Sequence, residues 1–324
     1  MQNQKKIKPE LLGLTLREHS IETLHYGWIC AINKDKKVIY KRGKLSDYIF
    51  LRSSAKPIQA IPIIDNDLNF TLKELAITCA SHSGSKSHLA LLKKSMSKFR
   101  IKNQDLRCGI HMPLDDEERN YLIRKNLKPN PLHNNCSGKH IGMLCICKKN
   151  DWDLKTYLSP NHLLQKRILK IIKTLSETKN VKIAVDGCGV PTFSLPVINI
   201  AKMFSNFTDS KNKQYSNIIS AMTKYPLYAG SKNQIDTEIM RAAKGKLIAK
   251  VGAEGIIIVA GGGNSLVVKI ADGSPRVRSF IVLKLLLKLG WLKKKDINGV
   301  LKGILSGKIK NHAGKIVGKI DMSE

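Results

Sequence analysis

No uninterrupted apolar run in this sequence approaches the roughly 20 residues that a bilayer-spanning helix requires, so no membrane partner is expected. The first residues, Met1-Gln2-Asn3-Gln4-Lys5-Lys6, are not followed by an apolar segment of the secretory type, which makes the cytoplasm the expected location. Aromatic residues make up only 6% of the chain, leaving few platforms on which single-stranded bases could stack. There is no Cys-x-x-Cys pair, hence no zinc ribbon. The seven cysteines are odd in number and scattered, which argues against a disulfide framework and suits a reducing compartment. Internal repeats and low-complexity linkers are absent. Acidic residues are scarce as well, 25 against 56 lysines and arginines, for a net charge of +31. The lysines run along the whole chain rather than in one arm, and isoleucine and asparagine are abundant beside them. That pattern resembles the coding bias of an AT-rich genome. With no zinc finger, RNP motif or basic zipper, a specific nucleic-acid partner is not expected. A salt-sensitive attraction to polyanions is.

What is present is an ordinary globular composition, 42% hydrophobic over 324 residues, enough to bury the core of one large domain or two lobes. The runs 26–32 and 37–40 flank Asn33-Lys34-Asp35-Lys36 and predict a β-hairpin. Residues 48–51 read as strand-like, and 57–64 and 72–80 as helices, the latter with Leu72, Leu75, Ala76 and Cys79 at helical spacing. A further helix is expected through Leu89, Leu91, Leu92 and Met96. The span 105–245 looks mostly helical, interrupted by a strand at 181–185. Strands follow at 247–251, 255–260 and 265–270, the last two joined by a turn at 261–264. A helix from about Arg276 to Leu292 is expected to bury Leu283, Leu286, Leu287 and Gly290 in the core. A basic helix lying on a membrane surface is the less common reading of that pattern. Strands at both ends with helices between suggest one sheet closed by the two termini. This is expected as a single domain over 1–324, with a sheet lobe of about 1–55 and 245–324 and a helical lobe of about 56–244.

Chemistry is suggested first by Leu51-Arg52-Ser53-Ser54-Ala55-Lys56-Pro57. A serine hydroxyl is a poor nucleophile until a base takes its proton. If a helix starts at Ser53, Lys56 at i+3 shares its face, and burial beside other cations would free the lysine amine to be that base. Four more clusters stand out: Ser81-His82-Ser83-Gly84 with His88 nearby; Asn134-Asn135-Cys136-Ser137-Gly138-Lys139-His140; Asp186-Gly187-Cys188-Gly189-Val190-Pro191; and Lys250-Val251-Gly252-Ala253-Glu254-Gly255. Singly, each has a plainer reading: a helix cap, a satisfied polar residue, a small buried cysteine, a turn glycine. Together they supply a nucleophile, two lysines, spare hydroxyls and glycine-rich backbone near a strand edge, the parts of a serine acyl-transfer site.

In that order these motifs resemble the rhizobial-type (class 3) L-asparaginase family, the resemblance running from the N-terminal hairpin to Asn311-His312-Ala313-Gly314 and beyond. It implies an α+β fold, an α/β sandwich similar to serine β-lactamases and glutaminases, and hydrolysis of L-asparagine. It further implies Ser53 as nucleophile with Lys56 as its base, and a second pair of Ser81 with Lys250, Ser83 being an alternative to Ser81. Arg52, Ser83, His88, Asp186 and Gly252 are the implied substrate-side residues. A zinc ion held by Cys136, Lys139 and Cys188 is implied, tuning substrate binding rather than carrying the main chemistry, and so is a homodimer. One departure is local. The family's usual arginine shortly before an Asp-Thr pair has no counterpart in 229–237, where Asp236-Thr237 stands. Rival expectations are a glutaminase or β-lactam-type serine amidohydrolase, or a basic polyanion-binding or regulatory protein that has lost catalysis.

Overall fold

The structure is a computed structural model in which residues 7–209, 211 and 213–323 are described. Eleven strands are found among them: β1 (Glu10–Arg17), β2 (Ser20–Ile32), β3 (Val38–Arg42), β4 (Tyr48–Phe50), β5 (Lys182–Val185), β6 (Pro191–Pro196), β7 (Ile248–Gly252), β8 (Ile256–Gly261), β9 (Asn264–Ile270), β10 (Lys308–Lys310) and β11 (Ile316–Met322). The main sheet runs β10-β11-β1-β2-β9-β8-β7, with β3 also on β2, and the pairings within it are antiparallel. Its N-terminal and C-terminal strands interleave: β1 pairs β11, and β2 pairs β9. This is the α+β arrangement with a terminal-strand sheet that the hydrophobic pattern implies.

Burial along β2 follows its neighbours. Ser20–Gly27 pairs with β1 and is mostly exposed, whereas Trp28–Ile32 lies between β3 and β9 and is buried at every position. An apolar run buried at consecutive positions needs cover on both faces of the sheet. Helices Val197–Phe207 and Arg278–Lys288 pack on these strands. The tight hairpin β8–β9 turns at Gly262 and Gly263, both at positive φ, the geometry a two-residue turn of this twist demands.

The helix expected over 276–292 is shorter, Arg278–Lys288. Leu283 and Leu286 are fully buried and Leu287 is half-buried. Gly290 is exposed, not part of the buried face. It sits past the helix end at φ +71, where its N–H reaches Leu287 O and the Trp291 N–H reaches Leu286 O. This is the Schellman closure that favours glycine. Among the described residues no helix is long and apolar enough to cross a membrane.

Two features position the chemistry. The first is a small sheet, β4-β6-β5, that the sequence only half announces, because β6 begins and ends in proline. The second is a pair of helices, Leu72–Thr78 and Ser137–Lys149. The former starts in a capping box, Thr71 Oγ1 accepting from Glu74 N while Glu74 Oε2 accepts from Thr71 N. The latter is buried from Ser137 through Cys147, on all sides rather than on one stripe. They approach so closely at Gly138 that a Cβ there would lie 2.4 Å from Ile77 O.

Candidate active site

Strand β4 ends at Phe50, and Leu51 N–H is pinned to Phe193 O on β6 at 2.9 Å. The chain then turns into a short 3-10 helix, Arg52–Ala55, which runs into the α-helix Lys56–Gln59. Arg52 opens it at φ +48, a left-handed conformation that costs a non-glycine residue energy. Side-chain contacts hold it there: Arg52 Nε donates to Asp186 Oδ1 at 2.8 Å, and its Nη1 lies 3.6 Å from Glu254 Oε1. Ser53 follows, half-buried. Among the described residues its hydroxyl forms no hydrogen bond. Strand β7 comes up behind it. A Cβ on Gly252 would stand 2.9 Å from Leu51 O and 3.2 Å from Ser54 N, so only glycine lets the strand back onto this turn.

Lys56 is fully buried. Its Nζ lies 2.5 Å from Ala80 O, 2.9 Å from Ser81 Oγ and 3.4 Å from Asn135 O. Burial pushes this ammonium below the usual lysine range; the thiolate charge of Cys136 opposes that, and Lys139 and Lys250 reinforce it. Nζ donates to all three, two carbonyls that only accept and a hydroxyl that can pass a proton on.

Lys250, on β7, is equally buried. Its Nζ lies 3.3 Å from Asp236 Oδ2 and 3.2 Å from Val251 O. The expected partnerships were Ser53 with Lys56 and Ser81 with Lys250. The hydrogen bonds observed join Ser81 to Lys56 and Lys250 to Asp236. Ser83 is half-buried; its carbonyl accepts from Asp115 N. His88 is buried with both ring nitrogens engaged, Nδ1 with the Ser85 hydroxyl and Nε2–H donating to Leu227 O, so it ties elements together.

Cys136, Lys139 and Cys188 come together from the N-terminus of helix Ser137–Lys149 and the β5–β6 turn. Lys139 Nζ donates to Cys188 Sγ at 3.0 Å. Cys188 donates its proton toward Cys136, which holds Cys136 well below the ordinary thiol range and Cys188 above it. Burial alone would lower Lys139, but the Cys136 and Cys188 sulfurs and Asp186 hold it above its usual range. Asp186 is pushed up by burial, yet Lys139, Arg52 and the Gly187 N–H bring it below the ordinary carboxylate range. The small sheet thus places the Arg52–Asp186 ion pair between the serine turn and the sulfur cluster. Two cysteine sulfurs and a lysine nitrogen, the nitrogen 3.0 Å from Cys188 Sγ, are donor atoms of the right chemistry for zinc once the lysine gives up its proton. Among the described residues no group of three His, Cys, Asp or Glu side chains is placed to hold a metal, so the lysine is needed to complete this set.

Sequence reasoning did not single out Asp236 as a partner of Lys250, and it gave His82, within the Ser81-His82-Ser83-Gly84 cluster, no role beyond a satisfied polar residue. The demand of a buried lysine for a counter-ion could have flagged the first. His82 is fully buried, its Nδ1 accepting from Gly84 N–H and its Nε2–H donating to Ser137 Oγ, which links the Ser81 segment to the Cys136 helix. A cleft of 1360 Å³ lies elsewhere, lined by Lys8, Tyr40, Lys44, Phe280 and Lys288 among others, and none of the candidate catalytic residues faces it. The candidate site is marked by its clustering of buried reactive groups rather than by this cleft.

A family profile described as L-asparaginase II matches residues 14–322. A comparison with curated proteins gives no match. Among solved structures, a β-lactamase from Mycobacterium bovis is similar at 10% identity, covering 82% of this chain and 95% of its own, with a TM-score of 0.42.

Proposed function

Because this chain belongs to the L-asparaginase II family over residues 14–322, we propose that it hydrolyses L-asparagine to L-aspartate and ammonia by serine acyl transfer. The observation that carries the reading is the fully buried Lys56 amine, already bonded to one hydroxyl and three residues beyond a second that is unengaged. Ser53 Oγ attacks the side-chain amide carbon, and its proton passes to Lys56. The backbone N–H of Ser53 is the proposed donor to the tetrahedral oxyanion. Lys56 returns the proton through Ser81 to the amide nitrogen, the C–N bond breaks and ammonia leaves. Water then attacks the β-aspartyl ester, its proton passes back along the same route, and aspartate departs as Ser53 is restored. Arg52, Asp186 and Gly252 border the turn on which this happens, and Ser83 and His88 are proposed to meet the substrate from the segment that follows Ser81. The cation-rich surroundings suit the α-carboxylate of an amino acid.

Cys136, Lys139 and Cys188 are the residues that would hold zinc. When bound it would supply a Lewis-acidic anchor that orients the substrate. Purified protein is expected to carry zinc in stoichiometric amount and Cys136→Ser to lose it. Metal-free wild type with unchanged substrate affinity would remove zinc from the proposal. A cytoplasmic homodimer is part of the same reading, and light scattering in solution tests the dimer.

Ser53→Ala is expected to lower turnover by on the order of 10⁴-fold or more with the melting temperature preserved. A second assignment is favoured by one contact, the 2.9 Å bond from Lys56 to Ser81 rather than to Ser53. It makes Ser81 the nucleophile. Mass spectrometry of quenched reactions decides: an acyl group on Ser53 supports the first assignment, one on Ser81 the second, and full activity in both alanine variants ends the acyl-enzyme account. Ammonia release measured side by side on asparagine and glutamine separates the asparaginase from its glutaminase rival.

A further inference from the structure

Lys250 and Asp236 form an ion pair that the chemistry above does not account for. Both side chains are sealed from solvent, at 1% and 0% exposure. The carboxylate is hydrogen-bonded through both oxygens. Oδ2 accepts from Lys250 Nζ at 3.3 Å and from Val251 N–H at 3.1 Å, and Oδ1 accepts from Thr237 N–H at 3.0 Å. Thr237 Oγ1 in turn accepts from Ser231 N–H at 3.0 Å. A Cβ on Gly230 would meet Thr237 Oγ1 at 2.3 Å and Asp236 Oδ1 at 3.3 Å, so a glycine lets that loop close over the carboxylate. Asp236 therefore clamps the start of helix Ile235–Ala242 to β7 at Val251, one residue past Lys250 and one before the glycine that backs the serine turn.

The two buried lysines face different surroundings. Lys56 has two carbonyls and a hydroxyl and no carboxylate partner. Lys250 has a carboxylate. Of the other titratable groups around it, Lys56 and Cys79 interact with its charge, Arg278 faces Asp236 from helix Arg278–Lys288, and Arg52 on the serine turn is paired with Asp186 and Glu254.

We propose that Asp236 is a positioning residue that keeps Lys250 a fixed cation beside the serine turn, so that Lys56 alone serves as the amine base. This rests on the acyl-transfer reading above and divides its labour. Held at that place, the Lys250 charge stabilises the negative charge that develops on the substrate.

The test compares wild type, Asp236→Asn, Asp236→Glu and Lys250→Met. Asp236→Asn is expected to lower kcat by about 10²-fold, the scale of a displaced proton-transfer or charge-stabilising group, with KM within about twofold. Asp236→Glu should recover part of kcat. A kcat that stays at the wild-type level, or a rate that rises at neutral pH, would overturn the proposal, since the latter means that Lys250 works as a free amine. A separate measurement keeps this distinct from the function itself. Urea unfolding of wild type, both single variants and Asp236→Asn/Lys250→Met reports the pairing without any turnover. Strong non-additivity is expected, and additive losses would discard the pair even if the enzyme cleaves asparagine. Conversely, clear coupling in a protein that releases no ammonia would retire the function and leave the pair standing.

Discussion

Gly252 is the position at which the serine turn and β7 can be no closer. A methyl group there would press on Ile256 Cγ2 at 2.5 Å, Leu51 O at 2.9 Å and Ser54 N at 3.2 Å, and the last two are backbone atoms that cannot rotate away. Gly252→Ala must therefore move the strand off the turn. Overpacking of this kind costs about 1–3 kcal/mol. A displaced nucleophile costs more in rate than in stability, because a shift of about 1 Å in a reacting group can cost about 10²-fold. The expected outcome is a kcat lowered by about that factor in a protein that still unfolds cooperatively. A variant with wild-type kcat would mean that the turn does not bear on the chemistry. Gly303 is the natural control. It lies inside helix Gly299–Leu305 with nothing within 4 Å of its would-be Cβ. Gly303→Ala should raise stability by up to about 1 kcal/mol, the helix-propensity difference, and leave turnover alone.

At the scale of elements, the contact of helices Leu72–Thr78 and Ser137–Lys149 governs the site, because Ser81 follows the first and Cys136 and Lys139 lie at the start of the second. Gly138→Ala would drive a Cβ to 2.4 Å from Ile77 O and 3.0 Å from Ile77 C, so the helices must part. A loss of about 1–3 kcal/mol in urea unfolding is expected, together with zinc binding weaker than wild type. Unchanged stability would show that the helices slide apart freely. Here the reach of sequence reasoning can be seen. The motif containing Gly138 stands out as a string of letters, and the interleaved terminal strands are legible because β2, β8 and β9 are apolar runs of strand length. What Gly138 touches is not legible, since Ile77 lies 61 positions away. The small sheet is hidden for a related reason. Its strands are three to six residues long, and β6 is bracketed by proline, which normally marks the edge or end of a strand. Yet that sheet brings Asp186 to Arg52. Partner choice among the lysines is hidden too: reading Ser81 with Lys250 follows family order, whereas the observed bonds depend on which acceptor each amine meets in three dimensions.

For the molecule as a whole, the excess of positive charge and the buried histidines act on stability in the same direction as pH falls. His82 lies in the interior with Nδ1 facing the Gly84 N–H, so a proton there would set donor against donor. Burial, then the charges of His88 and Lys56, hold it well below the ordinary value of 6.5. His88 is lowered by burial too, with the Leu227 carbonyl and Asp115 opposing. The sign follows from which state binds the proton. Above pH 6.5 neither folded nor unfolded chain protonates these rings, and their contribution to stability is fully present. Below it the unfolded chain takes up protons that the folded chain refuses, and stability is lost down to each folded-state value. Each refusing histidine contributes a slope of about 1.4 kcal/mol per pH unit. The lowered carboxylates Glu74 and Asp186 titrate below 4.5 and 3.8, outside the window between 6.5 and 5. Against the background set by the lowered Lys56 and Cys136, urea unfolding at constant ionic strength should therefore show stability falling more steeply below about pH 6.5, by about that slope for each refusing histidine. His82→Gln can keep one acceptor and one donor without titrating, and should flatten the curve by one histidine's share. A wild-type stability that stays level from pH 7 to 5 would show that His82 protonates as easily inside the fold as outside it, and that the bond to Gly84 does not hold the ring neutral.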